Sequence, residues 1–266
     1  MKVKATVLIV LVLSLAAMLT AASTISANHA WGNYHWARSS NPANLEVGNN
    51  LSGPWGPHLS VAVGDWNQSQ VLNLTIAAGQ ARGQCRPTAG RIEVCNAFYG
   101  NNGWLGIAQI WVSGEHITQA VTKVNDTYFS TPTYNTSAWR QLVMCQELGH
   151  DFGLGHQDEN FDDPPMGTCM DYTSDPVPNQ HPDQHDYQQL EVIYGHLDSG
   201  GSGNEPCRGG PKQCGDNGNG NNGLAGSDLN SPGEWGQLVR SQGRVAIYER
   251  DFGASHRVVT FVIWAN

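Results

Sequence analysis

The chain has 266 residues, with 14 Lys and Arg against 23 Asp and Glu, so its formal net charge at pH 7 is −9. Phosphate backbones repel an acidic surface of this kind, which argues against nucleic-acid binding. The length suits one domain of ordinary size plus an appendage. Charged residues make up only 14% of the chain, a composition that resembles extracellular rather than cytosolic proteins.

The N-terminus carries the pattern of a secretory signal peptide. Lys2 and Lys4 precede an apolar and small-residue run over residues 5–22, and small residues suited to cleavage follow up to Ala27. This order predicts a signal peptide over residues 1–27 and a secreted, extracellular protein. The alternative is an uncleaved membrane anchor, since the run is just long enough to span a bilayer. No other segment is apolar enough to cross a membrane, so we expect no stable membrane insertion after cleavage.

Six cysteines in a secreted chain predict three disulfides. Of the fifteen possible pairings, the most economical join neighbours along the chain: Cys85 with Cys95, Cys145 with Cys169, and Cys207 with Cys214. The alternative for Cys145 or Cys169 is a free buried thiol or a metal ligand.

The first half of the chain predicts a sheet with one helix. Residues 31–55 are aromatic, Asn-rich and Pro-rich without a clear period, and we interpret them as an irregular segment or a short strand. Apolar positions within residues 59–66 favour a short helix packed on a sheet. Alternating apolar residues and β-branched runs then predict four strands, at residues 71–78, 91–99, 106–112 and 117–124.

A longer helix follows, with Thr136 or Ser137 as its N-cap. Gln146 and His150 are the last two residues on one face of this helix, where they lie one turn apart and project side by side. Glu147 lies beside them, one residue around the helix.

Glycines near the end of this helix predict a break and a reversal of the chain. Gly149, Gly153 and Gly155 allow close packing and then a turn, which brings His156 back towards His150. In a continuous helix, the two histidines would lie on opposed faces.

The remaining chain divides into four parts. Prolines predict a loop over residues 158–182, and a helical period then favours a closing helix over residues 184–197. Residues 199–228 are rich in Gly and Asn and predict a flexible linker. Residues 229–266 contain two β-like runs, which predict a small hairpin that docks on the main domain because it is too small to be stable alone.

The residues around the glycine turn suit a zinc hydrolase. Such a site needs about three protein ligands and one open position, where the metal lowers the pKa of a bound water to about 7. His150 and His156 supply two imidazoles, and Glu147 is placed to accept the proton of the water. The alternative for Glu147 is a side chain that merely solvates the helix surface.

The motif Glu-x-x-His-x-x-Gly-x-x-His at residues 147–156, followed by Cys-Met-Asp-Tyr at residues 169–172, resembles the metzincin zinc endopeptidases. The end of the helix is particularly similar to matrixin-like members of secreted bacterial type. The resemblance covers residues 31–198 and implies a catalytic domain there. It implies an α+β fold in which a twisted mixed β-sheet carries an active-site helix and a closing C-terminal helix, here followed by the small β appendage.

The resemblance also implies roles for particular residues. An edge strand over residues 106–112 would bind an extended peptide by strand addition. Met170, in the methionine turn, would form an apolar floor beneath the zinc. Tyr172 matches a tyrosine that binds the metal or stabilises the transition state in some branches of the family.

Gln146 departs from the family pattern, because a histidine is usual at this position. A glutamine offers an amide oxygen, which is a weaker partner for zinc than an imidazole nitrogen. Three alternatives follow. Gln146 ligates zinc directly as a third ligand, or another residue takes its place as a ligand, or the site holds little metal and is inactive. The candidate replacements are His181, His185 and Tyr172.

Other candidate ligands carry weaker signals. A calcium ion is a second candidate cation. Its ligands would be the acidic residues of the loop after the motif, Asp158, Glu159, Asp162 and Asp163. The alternative is an acidic loop that is simply solvated. His181, His185 and His196 are either ligands or ordinary surface histidines. No ligand spacing distinguishes the remaining histidines, which we interpret as ordinary: His29, His35, His58, His116 and His256.

These features together predict a secreted, monomeric, zinc-dependent endopeptidase that acts on a protein or peptide substrate. Glu147 is the expected general base, with Gln146, His150 and His156 as metal ligands and Tyr172 stabilising the oxyanion. The alternative is a catalytically weak or inactive secreted binding protein on a protease scaffold. A third hypothesis, a glycan or cell-wall binder, draws on the nine tryptophans.

Overall fold

The computed structural model describes residues 29–198 and 229–265, which form an α+β fold with a mixed sheet of nine strands and four helices. The predicted signal peptide, the predicted linker over residues 199–228 and the predicted Cys207–Cys214 disulfide lie outside the described residues. Among the residues described, no helix has the length and apolarity needed to cross a membrane.

The sheet has a parallel half and an antiparallel half, and its strands follow the order β3-β2-β4-β6-β5-β9-β8-β7, with β1 also pairing with β6. Strands β1, β2, β3, β4 and β6 pair in parallel, whereas β5, β7, β8 and β9 join antiparallel pairs. The strands are β1 His35–Trp36, β2 Ala43–Asn50, β3 Leu72–Ala78, β4 Ile92–Ala97, β5 Trp104–Ser113, β6 His116–Asn125, β7 Gln237–Gln242, β8 Val245–Gly253 and β9 His256–Trp264.

Strand β2 is longer and more central than the sequence suggests. Its Asn and Gly residues disfavour a strand locally, yet it pairs with β3 on one side and β4 on the other. Ala43, Leu45 and Val47 point into the core at alternate positions. Tertiary pairing therefore overrides weak local propensity in a segment where we expected little regular structure.

The helices are α1 Trp55–Trp66, α2 Asp126–Phe129, α3 Ser137–Asp151 and α4 Gln184–Ile193. Helix α3 packs against α1, β5 and β6. Its predicted cap is confirmed, since the Thr136 side chain accepts a hydrogen bond from the backbone N–H of Trp139. Helix α4 begins at a capping box formed by Asp183 and Asp186, and it ends before the predicted residue 197.

Two of the predicted disulfides are confirmed. Cys85 pairs with Cys95, and Cys145 pairs with Cys169. The alternative in which Cys145 or Cys169 is a free thiol or a metal ligand is therefore wrong. The second disulfide joins α3 to the turn that contains Met170.

The C-terminal segment extends the main sheet. Strands β8 and β9 form the predicted hairpin, β7 adds a third strand, and β9 pairs along the length of β5. The expectation that residues 106–112 form an edge strand is therefore wrong, because β9 takes up the backbone hydrogen bonds that an edge would leave open. Alternate side chains of β9 face two cores, with Val259 and Phe261 in one and Val258 and Val262 in the other.

Candidate active site

The second half of α3 contributes three buried polar side chains to one place in the core. Gln146, Glu147 and His150 are each no more than 2% exposed. Gln146 and His150 lie one helical turn apart and therefore on the same face. The helix ends at Asp151, one residue after the last of these side chains.

A glycine turn then reverses the chain. Gly153 has a φ of 95°, and a Cβ there would collide with the carbonyl oxygen of Tyr34. Only glycine accommodates both the left-handed conformation and this close approach. The turn returns the chain to the helix end, where the predicted meeting of His150 and His156 is observed.

The two imidazoles meet through their Nε2 atoms, which lie 3.0 Å apart in a buried space. His150 Nδ1 lies 2.8 Å from the carbonyl oxygen of Leu154 and must donate to it, so Nε2 of the neutral ring carries a lone pair. Among the described residues, His156 Nδ1 has no hydrogen-bond partner. Burial lowers the pKa of His150 to about 4 and holds the pKa of His156 well below its usual range. Both rings are therefore neutral at pH 7, which is the form that binds a metal ion.

Glu147 is buried against the sheet, so the alternative in which it solvates the helix surface is wrong. The backbone N–H of Ala108 in β5 donates to its carboxylate, and within residues 29–198 and 229–265 the Oε2 atom has no hydrogen-bond partner. Burial, reinforced by the nearby carboxylate of Asp151, raises the pKa of Glu147 well above its usual range. A carboxylate with this affinity for protons is a stronger base than one on the surface.

Asp151 is a second buried carboxylate of the site, and the sequence analysis missed it. It lies one turn after Glu147 on α3, so their spacing alone would have placed them on one face. Its Oδ2 atom accepts the hydroxyl of Thr122 at 2.8 Å, while Oδ1 has no hydrogen-bond partner among the described residues. Burial raises the pKa of Asp151. The site therefore contains two carboxyl groups whose pKa values burial raises.

Met170 and Tyr172 close the site from the side of the disulfide-bonded turn. Met170 is buried, and its sulfur lies against Gly149. The ring of Tyr172 packs edge-on against His156, with centroids 4.1 Å apart, and Phe161 stacks on its other side at 5.0 Å. Burial raises the pKa of Tyr172, so its phenol stays protonated and able to donate a hydrogen bond.

The donor set fits a zinc ion. Two neutral imidazole nitrogens face each other across 3.0 Å, which is close to the separation of two ligands around one tetrahedral zinc. Gln146 supplies an amide on the same face of α3, and Glu147 lies beside it on the next position of the helix. His150 and His156 could therefore hold zinc, and the position of Gln146 on the helix makes its amide the candidate third ligand.

The acidic loop shows little sign of a calcium site. Asp158 Oδ1 accepts the backbone N–H groups of Glu159 and Asn160, and Glu159 forms an ion pair with Arg240 at 2.6 Å. In the part of the chain that the structure describes, the acidic residues of this loop do not form a group of three potential ligands.

The remaining histidines fall into two groups. His181 pairs with Asp65 at 2.7 Å and His185 stacks on His29, so the described contacts of both rings are with residues other than His150 and His156. His196 instead meets His35 and Asp198, and these three form a possible metal-binding group within the described residues. The sequence analysis named His196 as a candidate ligand but interpreted His35 as ordinary, because His35 lies far from His196 and Asp198 along the chain.

No protein-family model and no curated protein matches this sequence. Among solved structures, the chain is similar to high choriolytic enzyme 1, a hatching enzyme zinc-protease from the medaka fish Oryzias latipes. The two chains are 12% identical, and the match covers 63% of this chain and 99% of that chain with a TM-score of 0.35. A similarity this distant identifies no family, so function has to be inferred from the site itself.

Proposed function

We propose that the protein is a secreted zinc-dependent endopeptidase whose active site is formed by Gln146, Glu147, His150, His156 and Tyr172. The observation that carries this proposal is the close approach of His150 and His156 next to the buried carboxylate of Glu147. Burying these groups is costly unless they are used or paired. Their arrangement suits the binding of a cation and the transfer of a proton in one enclosed place.

Each residue has a defined part in this mechanism. His150, His156 and Gln146 would hold the zinc, which when bound lowers the pKa of a water and polarises a substrate carbonyl. Glu147 accepts the proton of the attacking water and passes it to the leaving amine. Tyr172 keeps its phenolic proton and donates a hydrogen bond to the developing oxyanion.

The substrate would be an extended peptide that pairs with β5. Ala108 of this strand already contacts Glu147 through its backbone N–H, so a peptide along β5 passes close to the base. Strand β9 occupies this position in the structure and pairs with β5 from Trp104 to Ser113. On this proposal, β9 would have to move away from β5 before a peptide could pair there.

A comparison of two isosteric variants tests the proposal. The variant Glu147→Gln removes the base, and Glu115→Gln is the control because Glu115 is exposed in the turn between β5 and β6. Both are assayed on a mixture of fluorogenic peptides with zinc present and again after treatment with a chelator. We expect Glu147→Gln to lose about 100-fold or more of the cleavage rate, and Glu115→Gln to match the parent. Equal rates in the parent and Glu147→Gln would contradict the mechanism.

The second candidate is a binding protein that uses the same scaffold without turnover. Gln146 favours it, since an amide oxygen holds zinc less firmly than a third imidazole. The covering of the site by β9 favours it as well. If the protein only binds, variants that open the site should still cleave no peptide in the mixture when zinc is supplied.

A further inference from the structure

A second cluster of polar groups lies where the chain leaves α4 and crosses β1. His35 Nε2 lies 3.3 Å from Asp198 Oδ1 and 3.3 Å from His196 Nε2, and His196 Nε2 lies 3.6 Å from the same Asp198 oxygen. The three potential ligand atoms all lie within 4.8 Å of one another. Neither His35 nor Asp198 takes part in the proposed peptidase mechanism.

The backbone holds Asp198 firmly in this position. The backbone N–H of Asp198 donates to the carbonyl of Arg38 at 2.9 Å, and the backbone N–H of Arg38 donates to Asp198 Oδ2 at 2.8 Å. Oδ2 is therefore engaged, while Oδ1 faces the imidazoles. The cluster joins the first strand to the segment after the last helix of residues 29–198, and its geometry does not depend on flexible side chains alone.

The tautomer of His35 directs a lone pair into the cluster. His35 Nδ1 lies 2.6 Å from the carbonyl oxygen of Asn33 and must donate to it. In the neutral ring, Nε2 therefore carries no proton and presents its lone pair to Asp198 Oδ1 and His196 Nε2. His35 Nε2 and Asp198 Oδ1 therefore face each other with no proton of their own between them, and either the N–H of His196 or a metal ion can satisfy these lone pairs.

The spacing of these atoms is that of ligands around zinc. With bonds of 2.0–2.1 Å, two ligands of a tetrahedral zinc ion lie about 3.3 Å apart, and the three separations here are 3.3, 3.3 and 3.6 Å. Imidazole nitrogens with one carboxylate oxygen are also a usual donor set for zinc. A small change in side-chain torsions would bring the three atoms into coordination range.

We propose that His35, His196 and Asp198 form a second zinc site, separate from the site on α3. His35 and Asp198 are the buried ligands, with side chains 4% and 12% exposed. His196 is the outer ligand, because its side chain is 54% exposed and accessible to solvent. Water takes the fourth position, so an ion enters without disturbing the core. This site does not require the protein to be a peptidase.

His116 is a positioning residue for this site. Its Nε2 atom lies 3.0 Å from Asp198 Oδ1, and its ring packs edge-on against His35 with centroids 5.0 Å apart. A donor that holds a ligating carboxylate fixes the direction of its remaining lone pair. His116 thus orients Asp198 from the start of β6.

The electrostatics of Asp198 favour a bound cation. Its Oδ2 atom accepts the backbone N–H of Arg38 at 2.8 Å, and its Oδ1 atom lies 3.0 Å from Nε2 of His116. A carboxyl group with such donors is ionised near neutral pH. Its negative charge attracts an imidazolium proton or a zinc ion alike, and these two cations are the alternatives that an experiment has to separate.

Zinc titration of the full chain separates them. Protein stripped with a chelator is titrated with ZnCl₂ in a calorimeter at neutral pH, for the parent, His196→Gln and His181→Gln. His181 is a matched control, since its side chain is 56% exposed and it also pairs with a carboxylate, that of Asp65. Both positions are at the surface, so neither substitution disturbs the core.

We expect His196→Gln to bind one fewer equivalent of zinc than the parent, and His181→Gln to bind the same number as the parent. This difference is independent of whether the α3 site binds zinc, so the failure of one site is distinguishable from the failure of the other. His116→Gln should keep the equivalent with an affinity roughly 10-fold weaker, as for other residues that orient metal ligands. The proposal would be overturned if the parent, His196→Gln and His181→Gln bound the same number of zinc ions, or if the parent bound no zinc.

Thermal unfolding provides a second measurement. A ligand that binds the folded chain and not the unfolded chain raises its melting temperature, and this site links residues 35 and 198. We expect ZnCl₂ to raise the melting temperature of His181→Gln more than that of His196→Gln. The same shift in melting temperature for both variants would overturn the proposal, because His196 would then make no contribution to zinc binding.

Discussion

The ring of Phe261 lies flat against the imidazole of His150, with centroids 4.2 Å apart and an interplanar angle of 5°. Phe261 also packs edge-on against Trp31 near the N-terminus of the described chain. A side chain of the last strand thus covers a residue that we propose as a zinc ligand. The stacking couples the position of β9 to the accessibility of the site.

Replacing Phe261 should open the site. Phe261→Leu keeps an apolar side chain but removes the stacked ring, and such aromatic contacts contribute about 0.5–1.5 kcal/mol. If β9 must withdraw before a peptide binds, we expect kcat/KM for peptide cleavage to rise roughly 2- to 10-fold. Phe252→Leu is the control, since Phe252 lies on β8 and packs in the other core. An unchanged or lower rate for Phe261→Leu would mean that β9 does not limit access.

Gln146→His should strengthen zinc binding at the α3 site. The new imidazole would stand one turn from His150 on the same face of the helix, where it replaces a weak amide ligand with a strong one. We expect the affinity for zinc to rise by about 10-fold or more, measured by competition with a chromogenic chelator. Gln68→His, which adds a histidine at an exposed position after α1, should leave the affinity as it is. If both variants bind zinc like the parent, position 146 does not face the metal.

The parts of the structure that the sequence predicted are those with local signals. The α3 cap at Thr136, the turn at Gly153 and the Cys145–Cys169 disulfide each depend on residues whose spacing along the chain restricts the geometry. Individual strands followed from alternating apolar residues in the same way, whereas the mixed sheet was expected only from the resemblance to a known family. The catalytic and ligand roles of the site residues stay predictions.

The features that the sequence did not predict depend on distant contacts. His35 and Asp198 are separated by 163 positions and meet only because α4 returns the chain to β1. Similarly, nothing in residues 106–112 indicates that β9 will pair beside them, because pairing partners are set by the whole sheet and not by one strand. Strand β2 was underestimated because neighbours on both sides stabilise a weak local pattern.

The stability of the protein should fall as the pH rises through the titration of Asp186. This carboxyl is buried at the start of α4, where it accepts hydrogen bonds from Gln157, Thr168 and the backbone N–H of Asp183. Burial is the main cause that raises its pKa from 3.8 to about 6, and the three hydrogen bonds oppose it. Burial also lowers the pKa of nearby His29, so that ring tends to be neutral and does not compensate the carboxylate.

The sign follows from proton binding. Between pH 4 and 6, the folded state holds the Asp186 proton while the unfolded state has released it, so raising the pH removes stability. The loss is complete above pH 6 and amounts to at most about 3 kcal/mol. Asp186→Asn has no such proton, so the unfolding free energy of the parent minus that of the variant should fall as the pH rises. Urea denaturation at pH 4.5 and pH 7 measures this difference, and a value that rises with pH would contradict the assignment.

The contact between β5 and α3 at Gly106 should be necessary for both stability and activity. A Cβ at Gly106 would lie 2.6 Å from Val143 Cγ1 and 2.7 Å from Glu147 Oε1, so Gly106→Ala has to push the helix or the carboxylate away from the strand. Overpacking of this kind costs about 1–3 kcal/mol. We expect Gly106→Ala to lower the urea midpoint, and to lower the rate of peptide cleavage further than the stability loss explains, because Glu147 itself is displaced.

Gly64→Ala is the matched control for this substitution. Gly64 lies within α1, and a Cβ there meets nothing within 4 Å, so alanine should raise stability by about 0.5–1 kcal/mol through its higher helix propensity. The two variants add the same methyl group with opposite expected signs. If Gly106→Ala unfolds at the same urea concentration as the parent and cleaves peptide equally fast, then Glu147 is free to move away from β5. The strand would then no longer fix the base beside the path of the substrate.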